Sequence, residues 1–303
     1  MSSILVVGSV AFDSVETPFG KAEEVLGGSA TYFSTSASFF TGVSLVAVVG
    51  EDFPDEHIAG LKGKGIDVAG LRKVPGKTFR WKGYYGYDLN QAHTLETHLN
   101  VFSSFNPDVP AAYREAPFVF LANIDPELQI KVLDQVKKPK LVACDTMNFW
   151  IEGKCDALKE LLRRVDLFVI NEGEARELSK ESSLVKAAKV IMGYGPRVLI
   201  IKRGEYGALM FTASSMFAAP AYPLEEIFDP TGAGDTFAGG LMGYLANTEN
   251  ITEENIRRAI IYGSVMASFN VEAFSLQRLH TLKPAEIKDR YYEFRRLTQF
   301  EDI

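Results

Sequence analysis

Short apolar runs recur along the chain, each followed by a helix-like stretch, and this alternation constrains the fold most. Six runs have the length and composition of buried strands: Ile4–Val7, Leu45–Val49, Phe118–Leu121, Leu141–Cys144, Leu167–Ile170 and Val198–Ile201. Four stretches have helical patterns: Ala30–Phe40, Pro126–Val136, Asp156–Arg164 and Ser183–Met192. Because strands that are apolar on both faces need helices on both sides, the alternation predicts an α/β fold with a mostly parallel central sheet.

The last third of the chain departs from this alternation. Two short runs predict a β-meander: Ala208–Phe211 and Met216–Ala218. Three longer stretches predict helices: Gly234–Ala246, Thr252–Phe269 and Pro284–Leu297. We therefore expect the sheet to end in a meander and the chain to end in helices.

A second pattern predicts a small β-sheet that projects from the main body. Phe79 and Trp81 alternate with Arg80 and Lys82, and a similar alternation follows in Thr94–Val101. A period of two is typical of strands that have one apolar face and one solvated or ligand-facing side. The segments that we expect to form this lid are about 14–26 and 77–102.

Composition narrows the class of protein. Apolar residues make up 47% of the 303, and no linker-like segment interrupts the chain, so we expect residues 1–303 to form one domain. A net charge of −7 gives no electrostatic basis for binding nucleic acid or a membrane surface.

The cysteines and the first residues of the chain bear on its cellular compartment. Cys144 and Cys155 are interpreted as reduced. Met1–Val7 has no signal-type pattern and no run is long enough to cross a bilayer, so a cytoplasmic protein is expected.

The run Asp229–Gly240 has the pattern of a glycine turn that opens a helix. Gly232, Ala233 and Gly234 are small enough for backbone N–H groups to face a ligand, and a helix N-terminus favours anions. Asp235 follows directly. An anion hole beside a carboxylate suits phosphoryl transfer, because the hole holds the transferring group and the acid orients the attacking hydroxyl. From these residues alone, a tight turn with an Asp cap is the open alternative.

The same run resembles the signature Asp-Thr-Thr-Gly-Ala-Gly-Asp of the ribokinase-like (PfkB) carbohydrate kinases, with Pro230 in place of the first Thr. The resemblance covers nearly the whole chain, beginning with Gly8–Asp13 after the first predicted strand. It implies a ribokinase-like three-layer α/β/α fold with a lid. It also implies an ATP-dependent and Mg²⁺-dependent phosphotransferase that acts on a hydroxyl of a sugar or sugar derivative. Asp235 is then the catalytic base, and the backbone of Gly232 to Asp235 is the anion hole.

Two further motifs of the resemblance imply the acceptor side of the site. Asp13 corresponds to an acid that binds substrate hydroxyls in the family, and a carboxylate can accept two hydroxyl hydrogen bonds. Gly27 and Gly28 enter a helix and allow a sugar to approach the backbone. Phe12 and Tyr32 are the other predicted substrate-binding residues. Ribokinases proper carry Lys and Asn within the glycine motif, and neither is present here, so ribose itself is not implied.

Two turns of the chain imply the part of the site that binds the nucleotide and the metal ion. Asn171 and Glu174 match the family's Asn-x-x-Glu motif, which implies a Mg²⁺ site reached largely through water. The residues alone equally fit a capped helix with surface acids. Lys202 and Arg203 replace the Thr and Leu of the family's nucleotide turn and either reach the phosphates or lie at the rim. Residues assigned to ATP are Lys202, Gly204, Gly207, Thr231, Ser264 and Ala267.

The acceptor, the assembly and a K⁺ requirement stay open at this point. A sugar or sugar phosphate is the first expectation, although a phosphate needs a basic pocket for which Arg80 and Lys82 are the candidates. A nucleoside is the second, because five aromatic residues are available to stack a base: Phe12, Tyr32, Trp81, Tyr84 and Phe102. A catalytically silent sugar- or nucleotide-binding sensor is the alternative of another class. Apolar lid strands predict a homodimer, against a monomer whose lid closes over substrate. Asp229 and Thr231 lie where some family members bind K⁺.

Overall fold

The computed structural model describes residues 4–299. Strands β1 to β13 are, in order, Ile4–Val7, Ala11–Thr17, Gly20–Gly27, Val43–Gly50, Ile66–Val74, Phe79–Tyr85, Ala92–His98, Phe118–Leu121, Leu141–Cys144, Leu167–Asn171, Val198–Lys202, Ala208–Phe211 and Met216–Ala219. Helices α1 to α11 are Ser29–Ala37, Asp55–Gly63, Pro126–Leu133, Asn148–Gly153, Cys155–Leu162, Glu172–Ser179, Leu184–Met192, Ala233–Thr248, Glu253–Asn270, Gln277–Thr281 and Pro284–Thr298. The chain termini at residues 1–3 and 300–303, which the one-domain expectation includes, lie outside this description.

Nine strands form the main sheet, in the order β13-β12-β11-β10-β9-β8-β1-β4-β5. The ladders from β5 to β11 are parallel, and β12 and β13 complete the sheet as an antiparallel meander. The six predicted strands are all present, because each is apolar on both faces and is buried throughout most of its length. The α/β fold predicted from the alternation is confirmed.

Two hydrophobic cores cover the two faces of this sheet. On one face, α1, α8 and α9 pack in a layer in which Phe33 stacks on Phe120 with ring centroids 4.2 Å apart. On the other face, α3 and α5 to α7 cover Val119, Phe168 and their neighbours. The arrangement is the three-layer α/β/α sandwich that the sequence resemblance implied.

The lid is a separate sheet of four strands in the order β3-β2-β6-β7. It is mixed, because β2 pairs with β6 in parallel while the two outer ladders are antiparallel. The expected strand Thr94–Val101 is shorter in the structure. It ends at His98, and a 3₁₀ turn over Asn100–Ser104 returns the chain to the main body, where Val101 is buried. Asn100 has a positive φ of 49°, which breaks the extended backbone at this point.

Two predicted helices are also shorter than expected. The helix predicted to reach Phe40 ends at Ala37, where hydrogen bonds from Phe39 to Ser36 and from Phe40 to Ala37 tighten the last turn. The helix predicted to reach Val136 ends at Leu133. Among residues 4–299, no helix has the length and apolar character needed to cross a membrane.

Candidate active site

The carboxyl ends of three adjacent parallel strands bring polar side chains to one edge of the main sheet. Asp145 follows β9 directly, Asn171 ends β10, and Lys202 ends β11, where it is the register partner of Asn171. In open α/β sheets this edge is where ligands bind. The start of α8 lies at the same edge, because its first-turn Asp235 interacts electrostatically with both Lys202 and Asp145.

The turn that is predicted to form the anion hole opens α8 with a left-handed glycine. Gly232 is the N-cap of α8 and has φ 73°, a left-handed conformation that glycine adopts without strain. The Tyr32 ring packs on it so closely that a β-carbon at Gly232 would lie 2.4 Å from the ring. The Tyr32 ring therefore packs directly against the turn, and the side chain is 1% exposed. Its hydroxyl has no hydrogen-bond partner among the described residues.

Asp235 has an unusual pKa for a carboxyl group. Burial raises the pKa of Asp235 to about 6, and the nearby Lys202 ammonium works against this rise. A carboxylate near that value ionises at neutral pH yet is a better proton acceptor than an ordinary Asp. The pair of Asp235 and Lys202 thus places a carboxyl group and a cation at the same helix N-terminus.

The structure gives different positions to Lys202 and Arg203, whose roles the sequence left open. The Lys202 ammonium nitrogen lies against Gly234, since a β-carbon there would be 2.5 Å from it. Arg203 turns away: its Nε donates to Glu172 at 2.8 Å, and its guanidinium lies over the Tyr206 ring. Lys202 faces the glycine turn at the start of α8, and Arg203 belongs to an ion pair with Glu172.

The metal-side residues form a capping box. The Asn171 side-chain oxygen accepts a hydrogen bond from the Glu174 N–H at 2.8 Å, and Glu174 Oε2 accepts one from the Asn171 N–H at 3.0 Å. Burial raises the pKa of Glu174 to about 7, against the lowering effect of Lys202 and of the Asn171 N–H. The structural alternative of a helix cap is therefore observed, and the cation site at these two residues stays a prediction.

Asp145 is a site residue that the sequence predictions missed. It is 3% exposed, and its Oδ1 atom has no hydrogen-bond partner within residues 4–299. Burial, with the negative charges of Asp235 and Glu174, raises its pKa well above the ordinary range, and Lys202 acts in the opposite direction. An acid directly after a predicted parallel strand was the available signal. An unpaired buried carboxylate oxygen requires a proton or a cation, so this cluster suits a positively charged group.

The same part of the chain does not form a closed metal cage. Within residues 4–299, no three His, Cys, Asp or Glu side chains are close enough together to hold a metal ion directly. A hydrated Mg²⁺ needs only one or two protein oxygens and keeps several waters.

On the acceptor side, Asp13 is the best-defined group. It lies on β2, is 5% exposed, and accepts a hydrogen bond from the Gly28 N–H. Burial raises the pKa of Asp13 to about 7, with smaller contributions from the charges of Asp229 and Asp235. A β-carbon at Gly27 would lie 1.9 Å from Asp13 Oδ2, so only glycine leaves room for this carboxylate.

The five aromatic residues considered for base stacking do not form one wall. Phe12 is buried against Phe53, with ring centroids 5.6 Å apart, and Tyr32 lies under the anion hole. Phe102 stacks on Phe79, and Tyr84 stacks on His93 at the exposed surface of the lid. Trp81 donates its ring N–H to Thr94. Of the five, Tyr32 lies next to carboxylates of the site, because its hydroxyl interacts electrostatically with Asp13, Asp229 and Asp235. Phe12 precedes Asp13 on the same strand, so its ring points to the opposite face of the lid sheet.

The basic candidates on the lid are both engaged. The Arg80 guanidinium pairs with Glu24 at 2.7 Å and with Asp52 at 2.8 Å, and it covers the Phe12 ring at 5.3 Å. Lys82 is an exposed residue that lies 3.8 Å from Glu96. Neither side chain supplies an unpaired cation to the acceptor side.

Tyr85 and Asn90 are lid residues that contact the main body near the site. The Tyr85 hydroxyl accepts a hydrogen bond from Thr231 at 3.4 Å, beside the anion hole, and burial raises the pKa of Tyr85 to about 12. Asn90, in the loop between β6 and β7, contacts Gly204 and Glu205. The lid is thus closed over the site.

The other residues that are predicted to bind ATP lie on the turn after β11 and on α9. Gly207 is buried against the backbone of Ala219, while Gly204 is exposed and meets the lid. Ser264 and Ala267 lie on α9, and Ser264 is 8% exposed. Their assignment to ATP stays a prediction.

Comparison with known proteins identifies the class. The pfkB family carbohydrate kinase profile matches residues 1–282. The chain therefore belongs to the PfkB family and is an ATP-dependent carbohydrate kinase, as the sequence resemblance implied.

Three relatives illustrate the match. A cytidine kinase from Thermococcus kodakarensis is 33% identical over 250 residues, which cover 80% of this chain and 89% of that protein. A putative ribokinase II from E. coli, solved in complex with ATP and Mg²⁺, has a TM-score of 0.80 at 20% identity, covering 97% of this chain and 100% of the other. A nucleoside kinase from Burkholderia thailandensis, in complex with inosine, has a TM-score of 0.79 at 17% identity, covering 96% and 98%. The two structures establish the ribokinase-like fold.

Proposed function

We propose that this protein is a nucleoside kinase that transfers the γ-phosphoryl group of ATP to a ribose hydroxyl, with cytidine as the first acceptor to test. The observation that carries phosphoryl transfer is the position of Asp235 at the N-terminus of α8, opposite Lys202 and Asp145. The observation that favours a nucleoside is the likeness to the Thermococcus cytidine kinase over 89% of its length.

The acceptor side supports an uncharged substrate. Asp13 is a buried carboxylate, a group that can accept hydrogen bonds from substrate hydroxyls, and Gly27 lies directly beside it. A sugar phosphate needs free positive charge, but Arg80 is already neutralised by Glu24 and Asp52. Free sugars remain the second class of acceptor.

In the proposed mechanism, Asp13 and the backbone of Gly27 and Gly28 orient the acceptor. Asp235 accepts the proton of the attacking hydroxyl as its oxygen bonds to the γ-phosphorus and ADP departs. The N–H groups of the glycine turn stabilise the charge on the transferring group, and Lys202 adds a cation at the same place. Ala233, which was also predicted to contribute, already donates its N–H to the Pro230 carbonyl at 3.1 Å. Closure of the lid through Tyr85 excludes water from the reacting atoms.

The residues present fit a hydrated Mg²⁺ bound with ATP. The unpaired Asp145 oxygen and the Glu174 carboxylate would hold it through water, and the capping box of Asn171 fixes the Glu174 carboxylate in place. When bound, the ion supplies positive charge that neutralises the phosphate oxygens.

A panel of acceptors tests this function. ATP turnover is measured with cytidine, other nucleosides, free sugars and sugar phosphates, and products are identified by mass spectrometry. Saturable formation of a nucleoside monophosphate, lost in Asp235→Asn, is the expected result. Preference for a sugar phosphate overturns the substrate class. Tight binding of a nucleoside or sugar without turnover would instead make the protein a sensor.

Two accessory predictions belong to the same proposal. A homodimer through the lid is supported by its exposed apolar residues, since Leu95 is 55% and Phe19 is 53% exposed. Light scattering should then give twice the chain mass, and Leu95→Glu should halve it. A monomeric wild-type protein would contradict this.

A monovalent cation is the other accessory prediction. The two Asp229 carboxylate oxygens each accept one backbone N–H, from Thr231 and from Ser275. Each oxygen keeps a lone pair that a cation can use. A lower kcat when tetramethylammonium replaces K⁺ would support a bound cation, and an unchanged kcat would contradict it. Cytoplasmic location and absence of nucleic-acid partners stay predictions from composition.

A further inference from the structure

Asn270, the last residue of α9, lies against the loop that opens the anion hole and is not used by the mechanism above. It is 1% exposed. Its amide nitrogen donates to the Thr231 carbonyl at 2.8 Å, and its amide oxygen accepts from the Thr236 hydroxyl at 3.1 Å. Because a carbonyl only accepts, the Thr231 contact fixes the orientation of the amide and makes Thr236 the donor. One buried amide therefore links the residue before Gly232 to the residue after Asp235.

The first of these hydrogen bonds orients a peptide plane of the anion hole. The peptide between Thr231 and Gly232 is trans, so its C=O and N–H point in opposite directions. While Asn270 holds the carbonyl, the Gly232 N–H points away from α9. The N–H of Thr231 is held separately by Asp229 Oδ1 at 2.9 Å. Both peptide planes that flank Thr231 are thereby fixed.

Gly232 makes this plane easy to turn when it is not held. Its φ is 73°, and glycine populates positive and negative φ about equally well. Rotation of the Thr231–Gly232 plane would present a carbonyl oxygen, in place of an N–H, to the transferring group. An anion hole built on glycine therefore needs a partner for the Thr231 carbonyl, and Asn270 is that partner.

We propose that Asn270 is a positioning residue for phosphoryl transfer. Its amide locks the Thr231–Gly232 peptide with the N–H directed at the γ-phosphoryl group. Through Thr236 it also fixes the first turn of α8, which carries Asp235. The residue acts through its neighbours and touches neither substrate nor nucleotide. The inference rests on the proposed function, because it assigns the hole to the transferring group.

Steady-state kinetics of Asn270→Ala provide the first test, with Asn255→Ala as the matched control. Asn255 is a buried residue of the same helix, 3% exposed, and donates two hydrogen bonds, to Thr248 and to the Asn250 carbonyl. We expect both variants to lose thermal stability, and Asn270→Ala alone to lose about 10²-fold in kcat, the effect of a small misplacement of reacting groups. The KM for the acceptor should change little, because Asp13 is untouched. A normal kcat for Asn270→Ala, or equal losses in both variants, would overturn the proposal.

A gentler pair of variants carries the test if Asn270→Ala does not fold. Thr236→Ser keeps the hydroxyl donor to Asn270, whereas Thr236→Val keeps the shape and removes the donor. We expect near-normal kcat for Thr236→Ser and a clear loss for Thr236→Val. Equal kcat values for the two variants would contradict a role for this hydrogen bond.

A binding measurement without acceptor separates this proposal from the proposed function. Calorimetry gives the affinities for ADP and for the non-hydrolysable ATP analogue AMP-PNP. The ratio of the two affinities reports how much the γ-phosphate contributes to nucleotide binding. We expect Asn270→Ala to lower this ratio while ADP affinity stays unchanged. An unchanged ratio would overturn the proposal. A lowered ratio in a protein that phosphorylates no nucleoside would uphold Asn270 while rejecting the substrate assignment.

Discussion

Asn90, at the tip of the lid, makes a two-way contact with Glu205 on the nucleotide-side turn. Its amide nitrogen donates to Glu205 Oε1 at 3.1 Å, and its amide oxygen accepts from the Glu205 N–H at 3.2 Å. The same oxygen lies so close to Gly204 that a β-carbon there would be 1.7 Å away. Asn90 and Glu205 are 115 positions apart in sequence, so these two hydrogen bonds join the lid to the turn at Gly204–Tyr206. We call this pair of hydrogen bonds the latch.

The latch makes lid closure sensitive to a single exposed amide. Removing two hydrogen bonds of about 0.5–1.5 kcal/mol each in Asn90→Ala should raise the acceptor KM by roughly tenfold. It should also raise ATP hydrolysis without acceptor, because an open lid admits water. Kinetic measurements with Gln91→Ala, on the same loop, provide the control. Equal acceptor KM values for the two variants would show that the latch does not contribute to closure.

Loss of the proposed base should abolish most of the turnover. Asp235→Asn keeps the shape of the side chain but removes the proton acceptor, and we expect kcat to fall by at least ~10²-fold. Asp156→Asn, which changes an acid in the first turn of α5, is the matched control and should leave kcat unchanged. Turnover of Asp235→Asn within a few-fold of wild type would reject the assignment of the base.

The buried carboxyl groups predict a stability that falls with rising pH in the ligand-free protein. The pKa of Asp13 is raised from 3.8 to about 7, and that of Glu174 from 4.5 to about 7. Between about pH 4 and pH 7 the folded state binds more protons than the unfolded state, so the free energy of unfolding decreases as pH rises. Asp13→Asn removes one of these groups and should flatten the decrease.

Urea unfolding at pH 5 and pH 8 measures this effect. At pH 8, Asp13→Asn should be more stable than wild type, because it lacks the buried charge. Its KM for the acceptor should rise, since the variant trades activity for stability. Glu16→Gln, at an exposed position of the same strand, should follow the wild-type curve. A wild-type protein that is equally stable at both pH values would contradict burial of these charges.

Gly27→Ala should disturb Asp13 without touching any catalytic group. The added β-carbon would lie 1.9 Å from Asp13 Oδ2, so the carboxylate has to move. A displacement on this scale costs up to about 10²-fold in kcat/KM for the acceptor. Gly60→Ala adds the same methyl group in open space and is the control. If the two alanine variants have the same kcat/KM, the close approach at Gly27 has no functional meaning.

The Mg²⁺ dependence should identify the metal-side carboxylate. In Glu174→Gln the concentration of Mg²⁺ that gives half-maximal rate should rise by about 10–100-fold, the usual effect of losing an outer-shell partner. Glu172→Gln is a control on the same turn, since its carboxylate is engaged with Arg176 and Arg203. An unchanged Mg²⁺ requirement in Glu174→Gln would place the ion elsewhere.

Much of the fold was predictable because its signals are local. Buried parallel strands such as Leu141–Cys144 are continuous apolar runs, and their bounds in the structure match the prediction. The prediction for Thr94–Val101 failed at its end because Asn100 turns the chain into the main core. The separate roles of Lys202 and Arg203 were also out of reach, since adjacent residues on a strand end differ only in the partners that the fold provides.

By itself, the sequence determined the alternation of buried strands and helices and the glycine turn before Asp235, and the family motifs implied that this turn works together with Asp13. The edge strand Ile66–Val74 and the helix Asp55–Gly63 before it were not predicted. These are encoded in residue type and short spacing, which act through local backbone geometry. Only the tertiary structure decided that Asp145 joins Asp235 and Lys202, that Asn270 holds the Thr231 carbonyl, and that Asn90 meets Glu205. Such contacts join residues far apart in the chain, and they exist because sheet order and helix packing bring those segments together.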